Sequence, residues 1–444
     1  MRILWQIFYN VVAIPMMYLY FKTVGPFNSK IREGIKGRKN VYQSIQMQLE
    51  SARKLPHTAW FHFTSVGEFE QAKPIIEKMK DRTRIVLTYF SPSVHENVMK
   101  YPHADVKCYL PFDTVNNAKR MMKLIQPSIL IFCKYDIWPN YVWVAAQKKV
   151  PVVLIAGTLH PKSKRLYPIV RSFLKQVHKY IYLQCAISNL DAYRLASISP
   201  PNAIICVTGD TRFDQVYERA KSVSIDEELI YGQSTLRDKV IVAGSTYYDE
   251  EVILLDAYSK LDESNSTLPH LILVPHEPTS ERIKEIKKEL EQKKLSYVLF
   301  SELEPETDLG EIDVIVIDTT GLLAKLYKLG TIAFVGGSFH GSVHNVMEPA
   351  AMAKPVIFGP TIHNSYEAKL LNYRKAGIIV KNASEMKHIF VDLLSNPEKV
   401  DKLGKIAESV IQENLGASER TMEYIRNVID AVWRKSTIIL KTGQ

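Results

Sequence analysis

The chain has 444 residues, which is long enough for two or three domains with an ample core. Hydrophobic residues make up 46% and charged residues 23% of it, an ordinary globular composition that excludes a disordered or fibrous protein. The four cysteines are scattered and form no CxxC pair. We therefore expect reduced, buried thiols rather than a disulfide framework.

Charge is distributed unevenly along the chain, whose net charge is +10. Residues 1–222 carry 32 Lys and Arg against 14 Asp and Glu, a net of +18, and residues 223–444 carry 25 against 33, a net of −8. A basic first half and a mildly acidic second half indicate two domains with different ligands. Nucleic acid is one candidate ligand of the basic half, and an anionic membrane or a phosphorylated lipid is another.

The first 22 residues favour the membrane over nucleic acid. Ile3 to Phe21 is a run of 19 residues without charge, interrupted only by polar Gln6 and Asn10, and it is long enough to span a bilayer. Pro15 and the Trp and Tyr residues of the run leave open a helix that lies in one leaflet. A buried core helix is the third alternative.

Basic residues after the apolar run give the anchor an orientation. Only Arg2 precedes the run, whereas six basic residues follow it: Lys22, Lys30, Arg32, Lys36, Arg38 and Lys39. By the positive-inside tendency, we expect the body of the protein on the cytoplasmic side. No small-residue cleavage site follows, so we do not expect a removable signal peptide.

Short runs rich in Val and Ile alternate with amphipathic segments, which predicts parallel βαβ units. In the first half the predicted strands are Ala59–Phe63, Ile85–Phe90, Ile129–Cys133, Val152–Ala156, Leu183–Ile187 and Ile204–Thr208. In the second half they are Val240–Ala243, Leu271–Val274, Tyr297–Phe300, Val314–Ile317, Ile332–Val335, Val356–Phe358 and Ile378–Val380.

A polar stretch at 217–239 separates the two series of strands. We therefore predict an α/β protein with two doubly wound, parallel-sheet (Rossmann-like) domains that face a cleft. The expected divisions are an anchor at 1–22, a domain at 23–222, a second domain at 223–417, and a closing helix within 418–444 that could cross back to the first domain. Ligands of such sheets bind at the carboxyl ends of the strands.

Two carboxylates in the first half follow predicted strands. Glu68 lies in Thr64-Ser65-Val66-Gly67-Glu68, at the start of a helix, where a carboxylate is either a general base for a hydroxyl or a complement to the helix dipole. Position alone does not separate these alternatives. Asp136, just after Ile129–Cys133, could bind substrate or order the surroundings of Glu68, but its position favours a cap on the following helix.

Basic side chains of the first half offer two further candidate contacts. A cluster at 162–179 is either a solvated face or a site for lipid phosphates, and it contains Lys162, Lys164, Arg165, Arg171, Lys175, His178 and Lys179. Arg212 could reach a donor phosphate, or it could pair with Asp210 or Asp214.

The segment from Ala333 to Pro360 is the most informative in the second half. It contains a strand, the loop Gly336-Gly337-Ser338, a helix that opens with Asn345 and Glu348, and a second strand. A glycine-lined turn and a helix start can receive an anion, and the Glu348 carboxylate could hold the vicinal hydroxyls of a ribose. The loop lacks GxGxxG spacing, so a nucleotide-sugar site fits better than a dinucleotide site.

Three other loops, each after a predicted strand, converge with that segment. Ser245-Thr246 could contact phosphate, Pro275-His276 could frame a base, and Thr319-Thr320-Gly321 precedes a helix predicted at Leu322–Leu329 whose N–H groups suit a phosphate. His276 and His344 are more typical of hydrogen-bonding residues than of metal ligands, because HExxH and Asp-x-Asp patterns are missing. No metal ion or other cofactor is therefore required.

Together these motifs resemble those of the 3-deoxy-D-manno-octulosonic acid (Kdo) transferases of lipopolysaccharide assembly, inverting enzymes of the GT-B fold. The resemblance is carried by the anchor, Ser65-Val66-Gly67-Glu68, Trp138-Pro139-Asn140, Val207-Thr208-Gly209, Ala243-Gly244-Ser245-Thr246, residues 334–360 and Asn364. It implies CMP-Kdo as the donor. The implied acceptor is the lipid A precursor (lipid IVA) at the cytoplasmic leaflet of the inner membrane.

The same resemblance assigns roles to residues. Glu68 takes the place of the general base, with Asp136 as the second catalytic candidate. The donor-binding candidates are Ser245, Thr246, Pro275, His276, Thr319, Thr320, Gly321, Gly337, Ser338, Asn345, Glu348 and Arg212. The acceptor-binding candidates are Ser65, Gly67, Lys162, Arg165 and Arg171.

Four segments depart from the family pattern. Asp136 stands where Glu is usual, and Ser342-Val343 replaces a Gly pair. Pro275-His276-Glu277 replaces Pro-Arg-His, which removes a cation near the nucleotide, and Asp210-Thr211-Arg212 replaces an Asn/Ser-x-Lys type of sequence. We interpret these as a divergent branch with the same activity.

Two alternative functions remain open from the sequence. One is another GT-B enzyme that uses a UDP-sugar, either a glycosyltransferase or an epimerase, which needs neither an anchor nor a basic surface. The other is a membrane-attached scaffold that kept the fold without the activity, against which the presence of Glu68 argues.

Overall fold

The structure is a computed structural model that describes residues 2–223, 229–261 and 268–441. The chain divides into two compact units. Unit 1 consists of Met1–Gln215 and Leu415–Gln444, and unit 2 is Val216–Asn414. The sequence placed the corresponding divisions seven residues later at the first boundary (222/223) and three residues later at the second (417/418).

Unit 1 alternates helices and strands after a helical amino-terminal region. Its strands are β1 (Thr58–Phe63), β2 (Arg84–Tyr89), β3 (Val106–Tyr109), β4 (Ile129–Cys133), β5 (Val152–Gly157), β6 (Leu183–Ala186) and β7 (Ile205–Val207). Its helices are α1 (Arg2–Phe8), α2 (Ile14–Val24), α3 (Ser29–Gly37), α4 (Val41–Ser51), α5 (Val66–Met79), α6 (His95–Lys100), α7 (Val115–Ile125), α8 (Pro139–Gln147), α9 (Pro168–His178), α10 (Asn189–Ser197) and α11 (Arg212–Ser222), the last of which runs across the division.

The seven strands of unit 1 form one parallel sheet in the order β3-β2-β1-β4-β5-β6-β7. The chain builds outward from β1 to β3 and then returns to β4 on the other side of β1. This reversal is the switch point at which doubly wound sheets bind ligands, outside the carboxyl ends of the two strands.

The central strands of this sheet are buried on both faces, which explains their continuous apolar sequences. Trp60 packs in the hydrophobic cluster on one face with residues of α7 and α8, and Phe61 packs in the cluster on the other face with residues of α5. Alternate strand residues thus anchor opposite helix layers. The loops that follow β1 and β4 are consequently fixed by two packed cores.

The amino-terminal region is a continuous helix, Ile3–Phe27, in which α1 and α2 are joined by a π-helical turn at Tyr9–Ala13. By length and composition it is the one helix in the described residues that is apolar and long enough to cross a membrane. Only 6% of its most apolar window is buried, so the alternative of a buried core helix is wrong.

One face of the amino-terminal helix packs on unit 1. Trp5 and Tyr9 contact the ring of Phe173 on α9, and Tyr18 and Phe21 contact the ring of Phe112. The other face is apolar and exposed, and it consists of Ile3, Leu4, Ile7, Phe8, Val11, Met16 and Leu19. We call these seven residues the apolar stripe.

Unit 2 repeats the alternation with seven further strands. They are β8 (Val240–Thr246), β9 (His270–Pro275), β10 (Tyr297–Leu299), β11 (Val314–Val316), β12 (Ile332–Val335), β13 (Val356–Phe358) and β14 (Gly377–Ile379). The helices are α12 (Tyr248–Ser259), α13 (Ser280–Gln292), α14 (Leu323–Leu326), α15 (Met347–Ala351), α16 (Tyr366–Tyr373), α17 (Ala383–Leu394) and α18 (Pro397–Gln412).

The second sheet is also parallel throughout, in the order β10-β11-β9-β8-β12-β13-β14. Its switch point lies between β8 and β12. The predicted α/β class with two Rossmann-like parallel sheets is confirmed.

The last helix, α19 (Ala417–Lys441), returns to unit 1. Met422, Ile425 and Val428 lie in the same hydrophobic cluster of unit 1 as Phe61. At its start, the backbone N–H groups of Gly416 and Ser418 each donate to the Asp214 carboxylate at 2.6 Å. This helix therefore completes the first core, as the sequence had left open.

Candidate active site

The switch point of the first sheet brings two short segments to one edge. β1 and β4 pair directly, so Thr64–Glu68 after β1 and Lys134–Asp136 after β4 leave the sheet side by side. Lys134 has a left-handed backbone with a φ of 66°, a conformation that is uncommon for residues with a side chain.

Glu68 lies in the first turn of α5 and is only 4% exposed. Its Oε2 accepts the backbone N–H of Thr64 at 2.5 Å and that of Ser65 at 3.3 Å, so the carboxylate does complement the helix start. Its Oε1 has no hydrogen-bond partner within the described part of the chain. Burial raises the pKa of Glu68, the Thr64 N–H opposes that shift, and the nearby Asp136 charge adds to it. One oxygen is therefore held by the backbone while the other can accept a proton.

Asp136 faces the same loop. Its Oδ2 accepts a hydrogen bond from the Thr64 hydroxyl and lies 3.7 Å from Nε2 of His62. The interpretation of Asp136 as the cap of the following helix is wrong, because another carboxylate occupies that position. Asp113 accepts the N–H groups of Asn140 at 3.1 Å and of Tyr141 at 3.2 Å, in the first turn of α8. Asp136 therefore does not cap α8, and its carboxylate lies beside Thr64 at the edge of the candidate site.

A buried network fixes the loop around Asp136. Nε1 of Trp138 donates to Nε2 of His62 at 2.9 Å, and Nδ1 of His62 lies 3.0 Å from the Thr88 hydroxyl. That hydroxyl also accepts from Nε1 of Trp60 and donates to the carbonyl of Phe61. The pattern assigns a neutral imidazole with its proton on Nδ1, and burial lowers the pKa of His62 in the same sense. The neutral His62 side chain thus connects β1 to the Asp136 loop by hydrogen bonds.

The acceptor candidates are distributed unevenly around this loop. Ser65 precedes α5, and Gly67 has no atom within 4 Å of the position that a Cβ would take, so the backbone there is open. The Arg165 guanidinium lies 4.6 Å from the ring centroid of Tyr135, next to Asp136. Lys162 is exposed before α9, and Arg171 is half-buried in α9. Among the described contacts, none joins Lys162 or Arg171 to Glu68.

Arg212 forms an ion pair in unit 1. Its Nη2 lies 2.6 Å from Oδ2 of Asp210, and its Nε contacts the same carboxylate. Burial raises the pKa of Asp210, but the Arg212 guanidinium outweighs it and holds the pKa below its usual range. The pairing alternative weighed from the sequence is therefore present in this structure.

At the switch point of the second sheet, the Gly-rich loop is closed on its own chain. A Cβ on Gly337, whose φ is 92°, would lie 2.3 Å from the carbonyl oxygen of Ser342, and a Cβ on Gly336 would lie 2.3 Å from that of Ser245. The glycines are therefore required by close approach of protein backbone. Ser245 itself has a left-handed φ of 55° at a bulge in β8.

A residue not singled out from the sequence, Glu250 in the first turn of α12, organises this loop. Its fully buried carboxylate accepts the N–H groups of Gly337 at 2.7 Å, Phe339 at 2.9 Å and Tyr247 at 3.2 Å. The sequence suggested that loop N–H groups receive an anion of the ligand. In this structure, two of them are occupied by the protein's own anion.

Other donor candidates also have structural partners. The Thr246 hydroxyl donates to Glu251 at 2.6 Å, and the Ser338 hydroxyl accepts the N–H of Gly359 at 2.5 Å. Asn345, one residue before the N-cap Val346, accepts the N–H of Met347 at 3.2 Å, and Glu348 pairs with Arg219 at 3.0 Å. These contacts fix the segment that the sequence singled out, and Glu348 is the second residue of the short helix α15.

The loop after β11 differs from its sequence-based description. Thr319, Thr320 and Gly321 are exposed, and the helix after them is α14, four residues long instead of the eight predicted. Four residues align few peptide dipoles, so this helix start contributes little to anion binding.

Aromatic rings gather at the carboxyl ends of three neighbouring strands, β9, β8 and β12. Tyr247 follows β8, His276 follows β9 after Pro275, and His340 and His344 follow β12. The ring centroids of Tyr247 and His340 are 4.4 Å apart, as are those of His276 and His344. We call these four residues the ring cluster. In the described ranges, no group of three or more His, Cys, Asp and Glu is arranged to hold a metal ion.

Two parallel Rossmann-like sheets in one chain, each with candidate residues at its switch point, define the GT-B fold class. A solved structure of this class, UDP-GlcNAc 2-epimerase from Neisseria meningitidis bound to UDP-GlcNAc, is similar with a TM-score of 0.57. The identity is 16%, and the likeness covers 83% of this chain and 100% of that one.

Comparisons of the sequence narrow the class to a family. A family model described as 3-Deoxy-D-manno-octulosonic-acid transferase (kdotransferase) matches residues 34–215. The chain is 30% identical to the 3-deoxy-D-manno-octulosonic acid transferase of Aquifex aeolicus, over 85% of this chain and 97% of that protein. It is 28% identical to a bifunctional glycosyltransferase/methyltransferase of Fusobacterium nucleatum, over 80% of this chain, and it spans 55% of the length of that protein. The chain belongs to the Kdo transferase family.

Proposed function

We propose that this protein transfers Kdo from CMP-Kdo to a hydroxyl of the lipid A precursor lipid IVA, with inversion, at the cytoplasmic face of the inner membrane. The observation that carries the proposal is the buried Glu68 at the switch point of unit 1, with a raised pKa and one oxygen unbonded within the described residues. Membership of the Kdo transferase family supports the donor sugar.

Glu68 is the general base of the proposed reaction. As the acceptor oxygen bonds to the anomeric carbon of Kdo, Oε1 takes the hydroxyl proton, and the bond from that carbon to the phosphate of CMP breaks on the opposite face. CMP leaves with the bonding electron pair. Asp136 keeps Thr64 in place and, by its charge, makes Glu68 a stronger base.

The acceptor side of the proposal uses the basic surface of unit 1. Arg165 lies over the ring of Tyr135, the residue next to Asp136, so we assign it to an acceptor phosphate. Ser65 lies beside Glu68 at the start of α5, Gly67 offers open backbone there, and Lys162 and Arg171 extend the positive surface. A phosphorylated glycolipid meets this surface with complementary charge.

The donor side of the proposal uses the carboxyl ends of the strands of unit 2. Glu348, at the first turn of α15, is assigned to the ribose hydroxyls, Pro275 is assigned to the edge of the base, and His276 lies beside it in the nucleotide site. Ser245, Thr246, Thr319, Thr320, Gly321, Gly337, Ser338, Asn345 and Arg212 complete the proposed donor set.

The amino-terminal helix is proposed as the membrane anchor. The apolar stripe along its exposed face supports contact with lipid acyl chains, and the basic residues that follow it support the cytoplasmic orientation. An anchored enzyme meets a membrane-bound acceptor at a raised effective concentration.

The test is incubation of the protein with CMP-Kdo and lipid IVA, followed by mass spectrometry of the lipid. The wild type should add Kdo, and Glu68→Gln should lose nearly all transfer while it binds CMP like the wild type. Glu96→Gln, an exposed carboxylate on α6, is the matched control and should stay active. Full activity of Glu68→Gln would remove Glu68 from the role.

A thermal-shift comparison of CMP with UDP tests the donor. Stabilisation by UDP and not by CMP would instead favour a UDP-sugar glycosyltransferase or epimerase. Binding of neither nucleotide, together with an unchanged lipid, would indicate a scaffold.

A further inference from the structure

The ring cluster lies at the carboxyl ends of the strands of unit 2 and consists of three imidazoles and one phenol ring. His276 and His344 stack with centroids 4.4 Å apart and ring planes 23° apart. Tyr247 stacks on both His340 and His344. The cluster thus places three imidazoles, each of which can accept a proton, beside the switch point at β8 and β12.

Two backbone N–H groups of the loop after β12 already donate to an acceptor within the protein. Glu250 accepts the N–H groups of Gly337 and Phe339, so the donor phosphate gains little from them. A phosphate at the ends of β8 and β12 needs positive charge from another source, and a protonated imidazole supplies it. Nε2 of His344 is buried and has no hydrogen-bond partner within the described residues, which leaves it free to take a proton and donate.

Without a ligand the cluster resists protonation. Burial, together with the smaller effect of the neighbouring His276, lowers the pKa of His344 to about 4. Two stacked imidazolium rings would repel each other across 4.4 Å. The charged and titratable groups that face the cluster are Tyr247 itself, Asp249 at 3.8 Å from His340, Glu250, which is occupied by the loop, and Glu277 beside Tyr247.

We propose that the ring cluster binds the phosphate of the nucleotide donor in a protonated state, with uptake of a proton at His344 or His276 on binding. The proposal rests on the proposed function, because it assigns the phosphate of that donor to a subsite. The negative phosphate offsets the repulsion that disfavours the charged imidazole. Donor affinity therefore rises as pH falls, in contrast to a site built on a fixed guanidinium.

The test is calorimetry with the methyl phosphodiester of cytidine 5′-phosphate. This probe is chosen because a phosphomonoester such as CMP titrates near pH 6 by itself, whereas a diester does not. Titrations in two buffers of different ionisation enthalpy report the protons taken up. We expect uptake of a fraction of a proton approaching one, and an affinity at about pH 6 that exceeds the affinity at about pH 8 by tenfold or more.

Histidine variants identify the residue that takes up the proton when the probe binds. His344→Gln and His276→Gln should each reduce both the uptake and the pH dependence, while His388→Gln, an exposed histidine on α17, should leave both as in the wild type. If a ring-cluster variant fails to fold, the wild-type uptake alone decides.

The outcomes separate this proposal from the proposed function. Binding of the probe with no proton uptake and equal affinity at both pH values overturns the phosphate subsite and leaves the function standing. No binding of the probe at either pH, with binding of UDP, overturns both.

Discussion

At the residue scale, Glu68 combines two roles that the sequence presented as alternatives. Oε2 completes the start of α5 by accepting two backbone N–H groups. Oε1, which has no hydrogen-bond partner in the part of the chain that the structure describes, is the proposed proton acceptor. A carboxylate held by one oxygen is pre-oriented, because its rotamer is fixed before substrate arrives. The structural role thus supports the catalytic one.

The raised pKa of Glu68 predicts the acid limb of the pH–rate profile. A base must be deprotonated to act, so the transfer rate should fall as pH drops through a pKa that lies above the ordinary Glu value of about 4.3. Because the Asp136 charge contributes to the shift, Asp136→Asn should move the acid limb to lower pH. Initial rates of Kdo transfer across the acid range measure both.

An acid limb at or below the ordinary Glu value would contradict this prediction. Asp81→Asn, an exposed aspartate after α5, is the control for a general change of charge and should leave the limb unmoved.

At the element scale, the start of α8 is held by a carboxylate far away in sequence. Asp113 accepts the N–H groups of Asn140 and Tyr141 and the hydroxyl of Tyr9, and the Asn140 amide exchanges hydrogen bonds with Asn10. Pro139 at the first position of α8 has no N–H, so these are the first donors of the helix. The amino-terminal helix and α8 are thereby joined by one polar network.

Asp113→Ala should lower the free energy of unfolding by about 2–4 kcal/mol, because it leaves buried donors without an acceptor. It should also lower the turnover number, since the Trp138–Pro139 turn next to Asp136 loses its support. Urea unfolding in detergent measures the first effect, and transfer assays measure the second. Asp81→Ala should change stability by less than about 0.5 kcal/mol. Equal stability of the two variants would contradict the role of Asp113.

The central strands could be predicted because a strand that is buried on both faces has a continuous apolar sequence. β3 was missed, because it is a four-residue edge strand whose apolar run is broken by Lys107. The helix after Gly321 was predicted too long. Leu322–Leu329 has helical composition, but after Leu326 the N–H groups of Lys328 and Leu329 donate three residues back, to Lys325 and Leu326, so the segment ends in tight turns.

The candidate site was harder to predict than the fold, because its contacts join residues that are far apart in the sequence. Glu68 stands out because it follows a strand within five residues, whereas the Asp113 contact with Asn140 spans 27 positions and has no local signal. Glu250 was hidden in an acidic first turn, Asp249–Glu251, where carboxylates ordinarily complement the dipole. Only the register of β8 and β12 shows that it reaches the Gly337 loop.

At the scale of the whole molecule, the apolar stripe and the basic first half of the chain predict binding to anionic bilayers. The double variant Leu4→Glu and Val11→Glu should bind vesicles containing phosphatidylglycerol about tenfold or more weakly, because each exposed apolar contact contributes about 1.5–3 kcal/mol when buried. Vesicle sedimentation measures the binding. Tyr373→Glu, an equally exposed apolar position in unit 2, is the matched control.

High salt should weaken vesicle binding of the wild type only in part, because screening acts on the basic residues and not on the apolar stripe. Complete release by salt would contradict insertion of the stripe. Unchanged binding of the double variant would do so as well.

Because α19 returns to unit 1, unit 2 is an insertion in the sequence of unit 1. The chain leaves unit 1 and returns to it at neighbouring points. Asp214 lies one residue before the division at Gln215, and it holds Gly416 and Ser418 just after the chain returns. The two crossings are therefore tied side by side by one carboxylate. Because its entry and exit meet there, unit 2 can be lengthened, shortened or exchanged for another domain without rethreading the core of unit 1. A chain built on this plan can change its second unit while it keeps the first.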